Sequence, residues 1–136
     1  TLDELVDEIV TPFPIFNGGP VEQDNLFFIH SRPELLRGSV EISDGIYWGG
    51  NFEALTEALN NRLLTKNEIR FFLGYSGWNA LQLSQEIKSK SWIPIQEQNL
   101  KGQLRKNTLQ LWSDKLKELG GDYLIWSNAP ENPNLN

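Results

Sequence analysis

Apolar residues separated by three or four positions predict four amphipathic helices along the chain. Their apolar faces are formed, in chain order, by Leu2, Leu5, Val6 and Ile9, by Phe52, Leu55 and Leu59, by Leu83 and Ile87, and by Leu109, Trp112, Leu116 and Leu119. Asn51 and Asn79 are suited to cap the second and third helices, because asparagine accepts hydrogen bonds from free backbone amides. Gly120 and Gly121 should end the fourth helix, and we expect Trp112 on its apolar face to be buried.

Shorter apolar runs predict extended segments between these helices. The expected segments are residues 13–17, 26–29, 40–42, 46–48, 69–73, 92–95 and 123–126. Asp44 and Gly45 form a dipeptide typical of a two-residue hairpin turn, so the third and fourth segments should pair. Residues 96–106 are polar and are expected to form a loop. Because helices and strands do not alternate strictly, the pattern predicts an α+β fold with a mixed, mostly antiparallel sheet.

The composition is that of a folded domain. Of the 136 residues, 39% are hydrophobic, including five tryptophans and seven phenylalanines, so we expect residues 1–136 to form a single domain around one core. No apolar run approaches the length of about 20 residues that spans a bilayer, so no membrane contact is expected. Cysteine is absent, which suits a reducing compartment and predicts a cytoplasmic protein.

Charge is distributed unevenly along the sequence. The net charge of −6 opposes attraction to nucleic acids and anionic lipids. Residues 1–60 contain eleven acidic residues against two arginines, whereas residues 88–117 contain seven basic residues against two acidic ones. These blocks either polarise the molecule electrically or form solvated faces of helices and loops, and the sequence leaves both interpretations open.

A sharp turn between a predicted strand and a predicted helix is the first candidate for chemistry. Residues 74–78 (GYSGW) resemble the nucleophile elbow G-x-S-x-G, except that Trp78 stands where the last glycine is needed. A triad built on Ser76 would depend on the single histidine, His30. The alternative, which we expect, is a turn shaped by Gly74 and Gly77 that carries packed aromatic residues.

His30 could also act alone, as a general base or a metal ligand. With no second histidine and no cysteine, a transition metal would need carboxylates for every other ligand. We therefore expect no metal site, and His30 to be a hydrogen-bonded structural residue.

Two glycine pairs, Gly18-Gly19 and Gly49-Gly50, lie at the ends of predicted strands. The second pair precedes a helix, where backbone amides can bind an anion. Neither pair fits a P-loop or a dinucleotide fingerprint, so we expect turns and no cofactor.

An ordered set of motifs runs through most of the chain. The segments are residues 18–21 (GGPV), 26–31 (LFFIHS), 45–52 (GIYWGGNF) and 70–78 (RFFLGYSGW), followed by Gln82, Leu83 and Glu86. Together they resemble the AlgH/YqgE family of bacterial proteins. The resemblance implies a compact fold with a branched or barrel-like sheet surrounded by helices. It also implies membership of a group described as transcriptional regulators without an established biochemical activity.

Two features of that family bear on this chain. Its members usually carry about fifty residues before the point where this chain starts, and their absence would leave a sheet edge uncovered, which favours self-association. The family pattern often has alanine at the position of Ser76, which favours the structural interpretation of the turn.

Two functional hypotheses follow. The first is a regulatory or binding protein that acts through a protein partner, since an acidic chain without a basic recognition helix is poorly suited to bind nucleic acid directly. The alternative is an enzyme or small-ligand protein with a pocket near the turn at residues 74–78. No residue is assigned to catalysis, and the oligomeric state is left open. The candidate binding residues are His30, Tyr75, Ser76, Gly77, Trp78, Gln82 and Glu86.

Overall fold

A computed structural model describes residues 1–127, with a five-stranded sheet at its centre. The strands are β1 (Ile15–Asn17), β2 (Val21–His30), β3 (Val40–Ser43), β4 (Ile46–Trp48) and β5 (Ile69–Tyr75). Their order is β1-β5-β2-β4-β3, with β1 parallel to β5 and all other neighbours antiparallel. The predicted α+β fold with a mixed, mostly antiparallel sheet is confirmed. The sheet is open, with β1 and β3 at its edges.

Helices surround this sheet. Within residues 1–127 they are α1 (Leu2–Leu5), α2 (Phe52–Asn60), α3 (Ala80–Lys88), α4 (Leu100–Gln103), α5 (Thr108–Leu119) and α6 (Tyr123–Trp126). The predicted caps are confirmed, because the side chain of Asn51 accepts from the amide of Ala54 at 2.9 Å and that of Asn79 from the amide of Gln82 at 2.8 Å. In the described part of the chain, no helix has both the length and the apolar character needed to cross a membrane.

The core lies on one face of the sheet. Phe71, in the interior strand β5, is fully buried, and its ring lies 5.7 Å from that of Phe13 and 5.9 Å from that of Phe28. Residues from the N-terminal segment, α2 and the connecting loops complete this core, namely Leu2, Ile9, Leu36, Leu55, Ala58, Leu59 and Leu64. The predicted strand at residues 69–73 is therefore confirmed, with Ile69 and Phe71 buried. The predicted face of α2 is buried at Leu55 and Leu59, but Phe52 on that face is exposed.

Four predicted segments differ from the structure. The first predicted helix, whose apolar face was expected to run to Ile9, ends at Leu5, because Val6 has an extended backbone. Residues 123–126 form α6 and not a strand, because their amides bond locally, as in Tyr123 N to the Gly120 carbonyl at 3.2 Å. Residues 92–95 form no strand, and Pro94 removes an amide that a ladder would require. Residues 96–106, expected as a loop, contain α4, where the Asn99 side chain accepts from the amide of Gly102 at 3.1 Å.

The apolar stripe of α5 is packed at one position only. Leu116 is 5% exposed, whereas Trp112 is 54% exposed, so the prediction that Trp112 is buried is wrong. Leu109 and Leu119 are also exposed. Periodicity identified the apolar side of this helix correctly, but it carries no information on how much of that side another element covers.

Separate replacement of Trp112 and Leu116 by alanine tests the difference in burial between them. Trp112→Ala should change the free energy of unfolding by no more than about 0.5 kcal/mol, as for most exposed positions. Leu116→Ala should cost about 2 to 5 kcal/mol, because it leaves a cavity in packed surroundings. Urea unfolding followed by circular dichroism tests both, and a loss above about 2 kcal/mol for Trp112→Ala would show that its ring is buried.

Candidate functional site at the turn after β5

The turn after β5 packs backbone to backbone against the turn between β1 and β2. A Cβ atom on Gly18 would overlap the carbonyl oxygen of Gly74, and a Cβ atom on Gly74 would overlap the carbonyl oxygen of Gly19. Gly74 also has a φ of +73°, which disfavours any other residue. Across the contact, the Ser76 hydroxyl donates to the Gly18 carbonyl oxygen at 3.4 Å. We call Gly18, Gly19 and Gly74 the glycine junction.

The second glycine of the turn is not constrained in this way. Gly77 does not have a positive φ, and a Cβ atom there would lie 3.7 Å from the Tyr75 ring, an ordinary contact. The expectation that both Gly74 and Gly77 are required by backbone geometry is therefore wrong for Gly77. Only Gly74 meets the facing backbone.

Two tryptophans and a carboxylate meet just beyond this turn. Trp78 and Trp92 each donate an indole N–H to Oε2 of Glu86, at 2.7 and 2.6 Å, and the Gln82 amide donates to Oε1 at 3.1 Å. The two indole rings form a T-shaped pair with centroids 5.2 Å apart. On α3, Gln82 and Glu86 are four residues apart and so share one face. We call these four residues the tryptophan cluster.

The polar groups of the tryptophan cluster bond to one another, whereas its two indole rings are partly exposed to solvent. Hydrogen bonds from Trp92, Trp78 and Gln82 lower the pKa of the Glu86 carboxyl, so it is held in the charged form. Trp78 is 39% exposed and Trp92 is 49% exposed. Exposed indole faces next to a carboxylate provide a surface that attracts a cationic side chain.

Tyr75 extends the aromatic surface onto the sheet. Its ring packs edge-on against Phe27 at 5.7 Å, and Phe27 lies 5.4 Å from Trp48 in β4. Tyr75 and Trp48 are both partly exposed. The structure thus places six of the seven predicted binding residues at or just after the end of β5. They are Tyr75, Ser76, Gly77, Trp78, Gln82 and Glu86.

His30 lies elsewhere. It pairs with Ile69 at the beginning of β5, so about 20 Å of extended strand separates it from Tyr75 at the end. The buried ring is fully bonded: Nε2 donates to the Gly49 carbonyl at 2.8 Å, and Nδ1 accepts from the Arg32 amide at 3.1 Å. His30 therefore does not join the turn, and it cannot act as a base for Ser76.

Burial of His30 makes stability depend on pH. Burial lowers its pKa, while the unfolded chain takes up a proton near the usual value of 6.5. Below pH 6.5 the unfolded state binds more protons than the folded state. The free energy of unfolding should therefore fall as the pH decreases, by at most about 1.4 kcal/mol per pH unit. Urea unfolding between pH 7.5 and 5.5 should show a shallower dependence for His30→Gln, and equal slopes would contradict this assignment.

Sequence reasoning missed Trp92 as a partner of Glu86. The pattern placed Trp92 in a strand, and nothing in its spacing from α3 indicates that the chain folds back at Lys90, which has a φ of +60°. An indole and a carboxylate six residues apart carry no periodic signal. This contact could be found only from the folded chain.

Three clefts formed by residues 1–127 are lined by none of residues 75–78. A cleft of about 520 Å³ runs beside β1 and is lined by Leu5, Ile15, Phe16 and Leu73, among others, but by none of residues 75–78. A polar cleft of about 370 Å³ lies at the other end of β5. Among residues 1–127, no three acidic or histidine side chains are placed to hold a metal ion.

Comparison with known proteins gives a consistent result. A family model described as AlgH-like matches residues 1–124. A UPF0301 protein of Chlorobium limicola is 42% identical over 123 residues, covering 90% of this chain and 65% of the relative. A UPF0301 protein of Cytophaga hutchinsonii is 41% identical over 138 residues, covering 100% of this chain and 75% of the relative. The chain therefore spans only part of the length of these relatives.

Solved structures share the fold at lower identity. The solution structure of the AlgH protein from Pseudomonas aeruginosa matches with a TM-score of 0.65 and 21% identity, over 96% of this chain and 70% of that one. The crystal structure of protein DIP2367 from Corynebacterium diphtheriae matches with a TM-score of 0.67 and 17% identity, over 94% and 69%. These likenesses establish the architecture.

Proposed function

The chain belongs to the AlgH-like family, as its motifs indicated, and from this we propose that it is a regulatory binding protein that acts through a protein partner. The observation that carries the proposal is the tryptophan cluster. It presents two half-exposed indoles around an ionised carboxylate, next to a turn held by backbone contacts. Tryptophan is the residue type most enriched among those that dominate binding energy at protein interfaces.

The partner we propose presents an arginine or lysine side chain to this surface. A cation can approach the indole faces of Trp78 and Trp92, and the Glu86 carboxylate adds a negative charge that remains ionised at neutral pH. The overall charge of −6 favours association with a basic surface. The same charge disfavours operator DNA as the direct target.

The geometry around Ser76 supports binding over catalysis. Its hydroxyl bonds to the Gly18 carbonyl, and the single histidine of the chain is buried at the far end of β5. A serine nucleophile needs a base within hydrogen-bond distance. Ser76→Ala should therefore leave partner binding unchanged.

Native mass spectrometry of the protein isolated from cells identifies a co-purifying polypeptide, whose affinity is then measured with purified components. Trp78→Ala and Trp92→Ala should each weaken binding by more than about tenfold, as expected of central interface residues. Glu86→Gln should weaken it in a salt-dependent manner. Trp112→Ala is the matched control, because it removes an exposed indole of α5 that makes none of the hydrogen bonds or ring contacts of the cluster.

Three results would contradict the proposal. One is a partner whose affinity is unchanged when both cluster tryptophans are replaced. Another is retention on duplex DNA that weakens steeply with salt, which is the behaviour of phosphate-backbone binding. The third is a hydrolytic activity that Ser76→Ala abolishes without changing the melting temperature.

A further inference from the structure

We propose that the polar cleft at the start of β5 is a binding site for a small phosphorylated molecule, independent of the partner surface described above. The cleft has a volume of about 370 Å³ and lies between the end of β2, the turn before β5 and α4. Its donor-bearing lining residues are Ser31, Arg32, Thr65, Asn67, Lys101 and Arg105. We call this the anion cleft.

Two cations of the anion cleft form no ion pair with the acidic side chains of residues 1–127. Lys101 lies on α4 and Arg105 in the turn that follows, and both residues line the cleft. The ion pairs within residues 1–127 engage Arg32, Lys106 and Lys115 but neither of these two residues. Two such charges beside one recess create a local positive potential on an acidic protein.

The acidic residue in the cleft does not neutralise them. Oε1 of Glu68 accepts from the Arg32 guanidinium at 2.7 Å, and Oε2 accepts from the Thr65 amide at 2.9 Å. Partial burial opposes ionisation, but these hydrogen bonds from Thr65 and Arg32 outweigh it and lower the pKa of Glu68. Arg32 also pairs with Glu34, so these three groups together carry one negative charge. The two charges of Lys101 and Arg105 exceed it, which leaves a net charge of about +1 around the cleft.

The segment that carries Lys101 and Arg105 is hydrogen-bonded to the sheet. The Arg70 guanidinium, projecting from β5, donates to the carbonyl oxygens of Leu104 and Lys106 at 3.2 and 2.6 Å. Leu104 is buried. Arg105 lies between these two anchored residues, so its backbone is fixed where the guanidinium can reach the cleft. A site positioned before binding loses less entropy when it binds a ligand.

The donor set matches a phosphate group. A guanidinium can bond two phosphate oxygens at once, and an ammonium adds a compact charge. The Ser31 hydroxyl and the Asn67 amide line the same cleft and can donate to further oxygens. A recess of this size admits a phosphomonoester of a small molecule, whereas the net charge of −6 repels a long polyanion.

Isothermal titration at fixed ionic strength tests this with inorganic phosphate, adenosine monophosphate and uncharged adenosine. Saturable binding is expected for the two phosphates and not for adenosine. Lys101→Gln and Arg105→Gln should each weaken binding about tenfold, the loss typical of one charge-assisted hydrogen bond. Lys117→Gln makes the same charge change on α5, outside the cleft, and should leave affinity unchanged.

Backbone NMR shifts on phosphate addition give a measurement that needs no variant, and they should centre on Ser31, Asn67 and Lys101. The proposal is overturned if neither phosphate compound binds saturably, or if the shifts centre elsewhere. It is also overturned if Lys117→Gln weakens binding as much as Arg105→Gln, which would indicate a diffuse charge effect. Binding of duplex DNA, but not of adenosine monophosphate, would instead make the cleft part of a nucleic-acid surface.

Discussion

Phe71→Ala should lower the free energy of unfolding by about 3 to 5 kcal/mol, the range for truncating a buried aromatic ring. The ring is fully buried in the interior strand β5 and contacts two other phenylalanines, so its removal leaves a cavity that flanking strands cannot close. Chemical unfolding monitored by circular dichroism measures this loss.

Phe52→Ala is the matched control for Phe71→Ala. Phe52 is 44% exposed at the first turn of α2, so the same truncation there should cost less than about 1 kcal/mol. Similar losses at the two positions would show that the core does not lie on the face of the sheet that Phe71 occupies.

Gly74→Ala should destabilise the protein by two effects at once. The positive φ alone costs about 1 to 2 kcal/mol for a residue with a side chain. The added methyl group would also overlap the carbonyl oxygen of Gly19 and press on that of Val21, so the facing turn must move. We expect a total loss above about 3 kcal/mol, measured by urea unfolding, with the turn at residues 74–78 displaced.

Gly49→Ala separates these two effects. Gly49 has a φ of +64°, close to the +73° of Gly74, but a Cβ atom there meets no atom within 4 Å. Its substitution should therefore cost only the backbone term of about 1 to 2 kcal/mol. Equal losses for the two variants would mean that the glycine junction tolerates a side chain.

Local signals in the sequence predicted most of the secondary structure. The caps at Asn51 and Asn79 and the hairpin around Gly45 depend on residues close in the chain, and the structure has all three. Residues 123–126 have the composition of a strand, but they pair with none of the five strands found within residues 1–127. Strand formation requires a partner whose position the local sequence does not encode.

The candidate site was predicted only in part, for a similar reason. The motif identified Trp78, Gln82 and Glu86, which lie close together in sequence. It did not identify Trp92, the close approach of Gly18 to Gly74, or the hydrogen bonds from Arg70 to the backbone at residues 104–106. Each of these contacts joins elements whose relative placement depends on the complete sheet.

The parallel pairing of β1 with β5 also has a kinetic consequence. The hairpin of β3 and β4 closes a short loop, whereas the glycine junction joins two turns far apart in sequence and forms only when β1, β2 and β5 are all in register. Contacts that close long loops are slow to form. The junction should therefore be absent from the folding transition state, so that Gly74→Ala accelerates unfolding and leaves the refolding rate nearly unchanged in stopped-flow experiments.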